Sequence, residues 1–525
     1  MRQHSAEDAY LFRHAMLREA AYQLQPPLDR ALLHAAAFTL VEAAYGGPAP
    51  ELPPPVTGRM QPMIPHRTDA VALELASHAE LAQHVDLDIG MANAARRYIH
   101  RAACLATEQF RFHEAIGLWR RLAERLSGQP MLIALSRCGT AAKEWGDAAL
   151  ARRTLEELHE KAWAAGDQHM QGIALGELAQ AMTAQGDLVA AEAAVRESIA
   201  MLRVLAVPRS LAASISGLAN LLWRGGHADS AQALWREALE LLAGQDPDDA
   251  RAAILNNLAG CFGRLGNTAQ AEPLFRQAMD IHQAQGQRHA VELVRMNLAN
   301  LFAETGRVPQ ALTIYRQSVQ ALSGLGHRRL EGVALANLAA ILFNTGEKYE
   351  SEDLLLKAIA IHHEVGDNQR LAHALSTLMA VYQNSGRHEL ALATGQQTLE
   401  LCRALGLKSD ESTVLYNLAS MAVDQKQLDQ ACALFEQAIA MQRQIGLPVK
   451  LAGSLCNYMH ALLLLGRIDE ARAAWLEGAA LLKDFRDIAD LKNKQRTMQK
   501  LCVECGIEPF GMPVRSGPVP PGPQA

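Results

Sequence analysis

The sequence predicts an all-α solenoid of antiparallel helix pairs, about 40 residues per pair. Three observations carry this. Glycine recurs at Gly146, Gly186, Gly226, Gly266, Gly306, Gly346, Gly386 and Gly466, in steps of 40 residues, with Lys426 filling the one gap. Alanine recurs in the same register at Ala151, Ala191, Ala231, Ala271, Ala311, Ala391, Ala431 and Ala471, with Ser351 as the exception. The chain is 49% hydrophobic but only 5% aromatic, so its core is built mainly from Ala and Leu, the strongest helix formers.

Each column has a physical reason, seen in residues 251–290. From Arg251 to Leu265 there is no Pro, and Ile254, Leu258, Phe262 and Leu265 recur at helical spacing, which predicts a first helix, A. Gly266 can turn with positive φ and stop it. Asn267 or Thr268 then offers a side-chain cap for a second helix, B, over Gln270–Ala284. Ala259 and Ala271 are small, so two helix backbones can approach. Phe275 fills the space one turn beyond Ala271, in a bulky column with Leu155, Trp235, Tyr315, Leu355, Phe435 and Trp475. Gly286 ends helix B, and its column runs on through Gly326, Gly366, Gly406 and Gly446. A Leu–Ala pair marks six of the A helices, at 178–179, 218–219, 258–259, 298–299, 338–339 and 418–419.

The strings Leu258-Ala259-x-x-Phe262 … Ala271-x3-Phe275 and Leu298-Ala299-x-x-Phe302 … Ala311-x3-Tyr315 resemble the tetratricopeptide repeat. The period exceeds the usual 34 or so and is similar to the long-repeat branch in kinesin light chains and in sensor arms of bacterial signalling proteins. HEAT-type repeats have a comparable length but lack this Gly/Ala/aromatic register. The resemblance covers 131–490 as nine repeats. Residues 88–127 read as a degenerate tenth, with Ala115 in the small-residue role, and 69–130 as a whole as a leading helix plus that unit. It implies a right-handed superhelix whose A helices line a concave groove, used to bind proteins or peptides.

The ends differ. Residues 10–34 resemble the segment that joins a STAND-class signalling ATPase to its repeat array, through Phe12, Arg13, His14, Ala15, Arg18, Glu19, Ala20, Tyr22, Arg30 and His34. The alternative is a plain helical cap over 1–45. No G-x-x-x-x-G-K-[ST] loop occurs, so no phosphate cradle is expected. Residues 46–68 are rich in Pro and Gly and read as a flexible linker, followed by a helix over Ala70–Val85. A capping helix is expected within 491–510, because the last repeat has no neighbour to cover it. Residues 511–525 read as a disordered Pro-rich tail.

Charge and composition exclude several classes. The net charge is −6 and the pI about 6.4, so no basic excess is available to neutralise nucleic-acid phosphates. No apolar run reaches membrane-spanning length, and the eight Cys are scattered, which points to a cytoplasmic chain. Cys502-x-x-Cys505 is half of a zinc motif without a second pair nearby. His362 and His363 are adjacent, so they cannot share a helix face as metalloprotease ligands do, and His113–Glu114 lacks a second His. Lys492, Lys494, Arg496 and Lys500 read as the solvated face of the capping helix. No catalytic residue, cofactor or metal is expected.

One polar column remains. Asn257, Asn297, Asn337, Asn417 and Asn457 share one place just before the Leu–Ala position, with Asn220 and Asn300 three residues further on. In the architecture the resemblance implies, this place points into the groove. An amide carries both donor and acceptor, so such a ladder can hold an extended peptide backbone without reading its side chains. The competing reading is that these side chains bond the neighbouring helix and fix stacking. Lys and Arg are sparse at other groove positions, namely Ile173, Ala213, Ala253, Leu293 and Val333, unlike a carboxylate clamp. The expected function is a non-catalytic protein- or peptide-binding scaffold or sensor arm. The alternatives are a regulatory or peptide-sensing subunit of a signalling ATPase, kinase or transcriptional regulator, and an enzyme hidden in the array.

Overall fold

Each turn between the helices of a pair is set by one residue in left-handed backbone. In the computed structural model, which describes residues 22–55, 63–84, 89–244, 249–484 and 488–511, Gly266 has φ 78° and Gly346 φ 95°. Lys426, at the break in the column, adopts φ 59°. A side chain in this region costs about 1–2 kcal/mol, part of which glycine would return through its floppier unfolded chain. Lys426→Gly should therefore raise stability by about 0.5–1 kcal/mol, read as a higher urea midpoint with unchanged slope.

Among the described residues there are helices and turns and no strand. Nine helix pairs follow one another, from Gly128–Trp145 with Ala148–Ala164 to Pro448–Leu464 with Ile468–Asp484. The test segment folds as Asp249–Arg264 and Thr268–Ala284, and Asn267 caps the second helix by accepting from the Gln270 amide at 3.3 Å. The chain divides into two compact units, 1–145 with 153–165, and 146–152 with 166–525.

In the second unit the columns form the core. Ala191, Ala231, Ala271, Ala311, Ala391, Ala431 and Ala471 are fully buried, as are Tyr315, Leu355, Phe435 and Trp475. Ser351 is as buried as the alanines it replaces and donates to the Ala339 carbonyl at 2.8 Å. The break in that column is therefore a packed, satisfied site and not a looser one. Each helix A of this unit packs on its own B and, from Pro208–Arg224 onward, on the preceding B. Successive A helices also touch, whereas no comparable contact joins successive B helices among the described residues. The A helices thus lie on the inside of the curve, as the resemblance implies. The helix Ile488–Glu504 covers the last pair, with Met498 and Cys502 buried.

The first unit holds the helix Pro27–Ala44, a short 3-10 turn Arg67–Val71, the helix Ala72–Leu81, and the pair Ile89–Glu108 and Phe112–Ala123. That pair is the degenerate repeat, with Ala115 in the small place and Trp119 in the bulky one, both buried. The expected flexible linker is corrected over the part described. Arg101 is buried and donates to Asp69 at 2.7 and 3.0 Å, to the Pro50 carbonyl at 3.1 Å and to the Ile64 carbonyl at 2.9 Å. A buried guanidinium needs acceptors, and this chain segment supplies them. Of the residues that resemble the ATPase-linking segment, Phe12 to Ala20 lie outside the described residues. Tyr22 and His34 are joined by a 2.8 Å hydrogen bond, and Arg30 stacks over the Tyr22 ring. The tail 512–525 and Val85 also lie outside them.

Candidate functional site

The A helices Pro208–Arg224, Asp249–Arg264, Arg288–Glu304 and Arg328–Thr345 present their Asn side chains on the inner face, half-buried or exposed. They are not open amides waiting for a ligand. Asn257 donates from Nδ2 to Asn220 Oδ1 on the preceding A helix at 3.1 Å. Asn297 does the same one repeat later, but its acceptor is Asn256 Oδ1, at 2.9 Å. Asn256 itself lies 3.5 Å from Asn257 Oδ1. Further along, the buried Tyr315 hydroxyl reaches through from a B helix. It donates to Asn300 Oδ1 at 2.6 Å and accepts from Asn337 Nδ2 at 3.3 Å. Asn457 donates to the Tyr416 hydroxyl and accepts from Lys494 Nζ at 2.9 Å. Lys494 thus ties the capping helix to the inner face, which corrects its reading as plain solvated surface. Asn417 makes no side-chain hydrogen bond among the described residues.

This pairing is the neighbouring-helix bonding of the competing reading. Its cause is the spacing of successive A helices, which touch closely enough for an amide on one to reach an amide or phenol on the next. Capacity remains all the same. An Asn amide has two N–H hydrogens and an oxygen with two lone pairs. Asn297 and Asn337 each use one hydrogen and leave the oxygen unengaged. The internal bonds hold the side chains in one orientation and leave the rest of each amide for a ligand.

Asn220, Asn256, Asn257, Asn297 and Asn300 converge on one pocket of about 270 Å3. Its remaining wall includes Trp223, Trp235, Phe275, Arg264 and Glu304. Trp235 and Phe275 are core residues of the bulky column, so the pocket floor is the repeat core itself. The Arg264 guanidinium lies 5.4 Å from the Trp223 ring centroid, a cation–π contact that keeps the ring at the mouth. Sequence reasoning missed Asn256, Trp223, Arg264 and Tyr315. The Asn256–Asn257 doublet, and Trp223 one turn beyond Asn220, are the signals that could have found the first two. A second cavity, of about 630 Å3, lies beside Gly286 and Leu325, where Glu292 is already paired with Arg295 at 2.8 Å and Ser318 at 2.7 Å.

The other candidates separate. His362 is buried while His363 faces solvent, and Glu364 pairs with Arg328 at 2.9 Å. Cys502 is buried beside Met498, and burial pushes its thiol pKa up, whereas Cys505 is exposed. Among the described residues no group of three His, Cys, Asp or Glu is placed to hold a metal ion. No described helix is long and apolar enough to cross a membrane.

Tetratricopeptide repeat profiles match residues 172–197, 210–284, 250–324, 333–365, 412–445 and 452–477. No curated protein matches the sequence significantly. Three similar solved structures are a Rap protein complexed with competence and sporulation factor, BtubC from P. vanneervenii, and a signal transduction ATPase with numerous domains that carries a tetratricopeptide repeat sensor, from Pyrococcus horikoshii. The first is 12% identical, covering 80% of this chain and 99% of that one, with TM-score 0.45. The second is 22% identical, covering 42% and 91%, with TM-score 0.33. The third is 14% identical, covering 66% and 55%, with TM-score 0.41.

Proposed function

We propose that this chain, which is a tetratricopeptide repeat protein, is a non-catalytic receptor that binds an extended peptide along the inner face of its A helices. The observation that carries the reading is the set of mutually bonded Asn side chains around one pocket. They are fixed in orientation yet keep donors and acceptors unspent. A peptide backbone in extended form presents alternating N–H and C=O groups, which is the pattern such amides satisfy. Pre-orientation lowers the ordering cost on binding. The apolar floor of Trp235 and Phe275, with Trp223 at the mouth, offers space for a side chain of that peptide. A peptide held this way suits a scaffold or the sensing arm of a signalling assembly.

The test uses a random dodecapeptide library displayed with free C-termini, panned on the full chain. Enriched peptides should bind the Asn297→Ala/Asn337→Ala double variant about 5–150-fold more weakly, the equivalent of about 1–3 kcal/mol if the two sites add. Because both amides also bond within the array, stability should fall too, by about 1–2 kcal/mol. Affinities are therefore compared at a temperature where circular dichroism shows both proteins folded. Unchanged affinity in the folded double variant would leave the Asn column with a stacking role alone.

A further inference from the structure

The eight A helices from Gln168–Gln185 to Pro448–Leu464 share one 40-residue register, and one of them breaks it at two places. At the first place seven of the eight carry Gly, Ala or Ser, from Gly172 through Ala252 and Gly332 to Ala452, and all seven are buried. The eighth, Arg288–Glu304, carries Glu292, which is only 6% exposed. At the second place, three residues on, the same seven carry buried Leu or Ile, from Leu175 through Leu255 and Leu335 to Leu455. The eighth carries Arg295, whose side chain is 36% exposed. The sister helices show that the repeat packs without either charge. An ion pair here forgoes the apolar burial that they have and places a carboxylate in the protein interior, both unfavourable for folding alone.

The break coincides with the cavity of about 630 Å3. Its walls come from the A helix Arg288–Glu304 and from the ends of the B helices on either side of it in sequence, Thr268–Ala284 and Val308–Gly324. It shares no residue with the pocket of the Asn column. Glu292 is its buried acid. Oε1 of Glu292 accepts from Arg295 Nη1 at 2.8 Å, and Oε2 accepts from Ser318 Oγ at 2.7 Å. A carboxylate oxygen has two lone pairs, so each keeps one acceptor position unspent. Arg288 lies one turn before Glu292 on the same helix face, is exposed, and makes no ion pair among the described residues. Between these charges the wall is apolar, with Val291, Ala321 and Leu325.

We infer that this cavity is a second binding site, for a small zwitterion with the chemistry of a free apolar amino acid or apolar dipeptide. The ligand's ammonium group donates to the unspent acceptor positions of Glu292. Its carboxylate meets the guanidinium of Arg288 or the remaining N–H groups of Arg295, which has five donors in all. Its apolar side chain lies on Val291, Ala321 and Leu325. An amine alone would forgo the guanidiniums, and an acid alone would face Glu292 with like charge, so the pattern of charges favours a ligand that carries both. The volume falls within the range of roughly 300–1,000 Å3 common to small-molecule sites. The site goes beyond the peptide-binding reading and does not rest on it.

The experiment titrates the full chain with L-leucine and with L-leucyl-L-leucine in a calorimeter. At least one should bind, and the comparison tells an amino acid from a dipeptide. The tighter binder is then acetylated at its amine or amidated at its carboxylate, and each change should weaken binding about tenfold or more. The double variant Glu292→Ala/Arg295→Leu gives this helix the residues of its sisters. It should fold, melt no lower than the parent without ligand, and bind neither compound. The ligand should raise the melting temperature of the parent and leave that of the double variant unchanged. Binding of neither zwitterion, equal binding of the acetylated or amidated form, or binding that persists in the double variant would overturn the site. A double variant that melts well below the parent would make the ion pair a structural element and overturn it as well.

Discussion

Acidification from pH 7 to 4 should cost the second unit several kcal/mol of stability. Two buried imidazoles drive this. His327 is 4% exposed and His362 1% exposed, and burial pushes each pKa from 6.5 down to about 4. Neither ring nitrogen of His362 has a hydrogen-bond partner, and the helix backbone at Gly332 lies against its ring. For His362 the carboxylate of Asp367 acts the other way, while Arg370 and Arg329 reinforce the shift; for His327 the neighbours are His289 and Arg329. The folded state refuses protons that the unfolded chain accepts between these values. Stability is therefore full above pH 6.5, falls as pH drops towards 4, and levels off below. Each group contributes about 3 kcal/mol over that window. Asp410, whose pKa is raised, offsets part of the loss. Urea midpoints measured across the range should show the decline, and His362→Leu, which keeps the volume and removes the titration, should flatten it. A His362→Leu profile parallel to the parent would exclude this imidazole as a cause.

Replacing Trp235 by Ala should be the most damaging single change, at about 3–5 kcal/mol for a large buried ring with incomplete collapse of the cavity. Trp235 is fully buried and at the same time forms the pocket floor. Its indole nitrogen has no hydrogen-bond partner, so Trp235→Phe loses volume but no bond and should cost much less, about 1–2 kcal/mol. In a repeat array each unit leans on its neighbours. Hydrogen exchange in Trp235→Ala should therefore accelerate first in Pro208–Arg224, Ala228–Leu241 and Asp249–Arg264, and spread outward from there. Uniform acceleration over the whole second unit would contradict the repeat-by-repeat picture.

The fold was legible because its causes repeat. A left-handed turn, a close helix approach and a filled gap each recur at one spacing, so Gly266, Ala271 and Phe275 can be read from the chain without knowing what they touch. Even the exceptions obey the same geometry, since Lys426 takes the glycine conformation and Ser351 the alanine site. The site was legible only in outline. The Asn column is visible, but its partners depend on how far one A helix slides against the next. Asn257 therefore finds Asn220, while Asn297 finds Asn256. The Tyr315 hydroxyl was assigned to the core by its place in the bulky column, although its tip reaches the inner face. In the first unit, composition alone suggested a loose linker, because the buried Arg101 that ties down Pro50 and Ile64 cannot be seen from Pro and Gly content.

The most direct test of the account is a crystal structure of the chain with one library-selected dodecapeptide. The account predicts an extended peptide on the inner face. Its backbone N–H and C=O groups should lie within hydrogen-bond distance, about 2.7–3.2 Å, of the free amide positions of Asn297 and Asn337, with one side chain over Trp235. A peptide seated on the B helices or beside Gly286 and Leu325, with the Asn amides unchanged from their internal bonds, would contradict it.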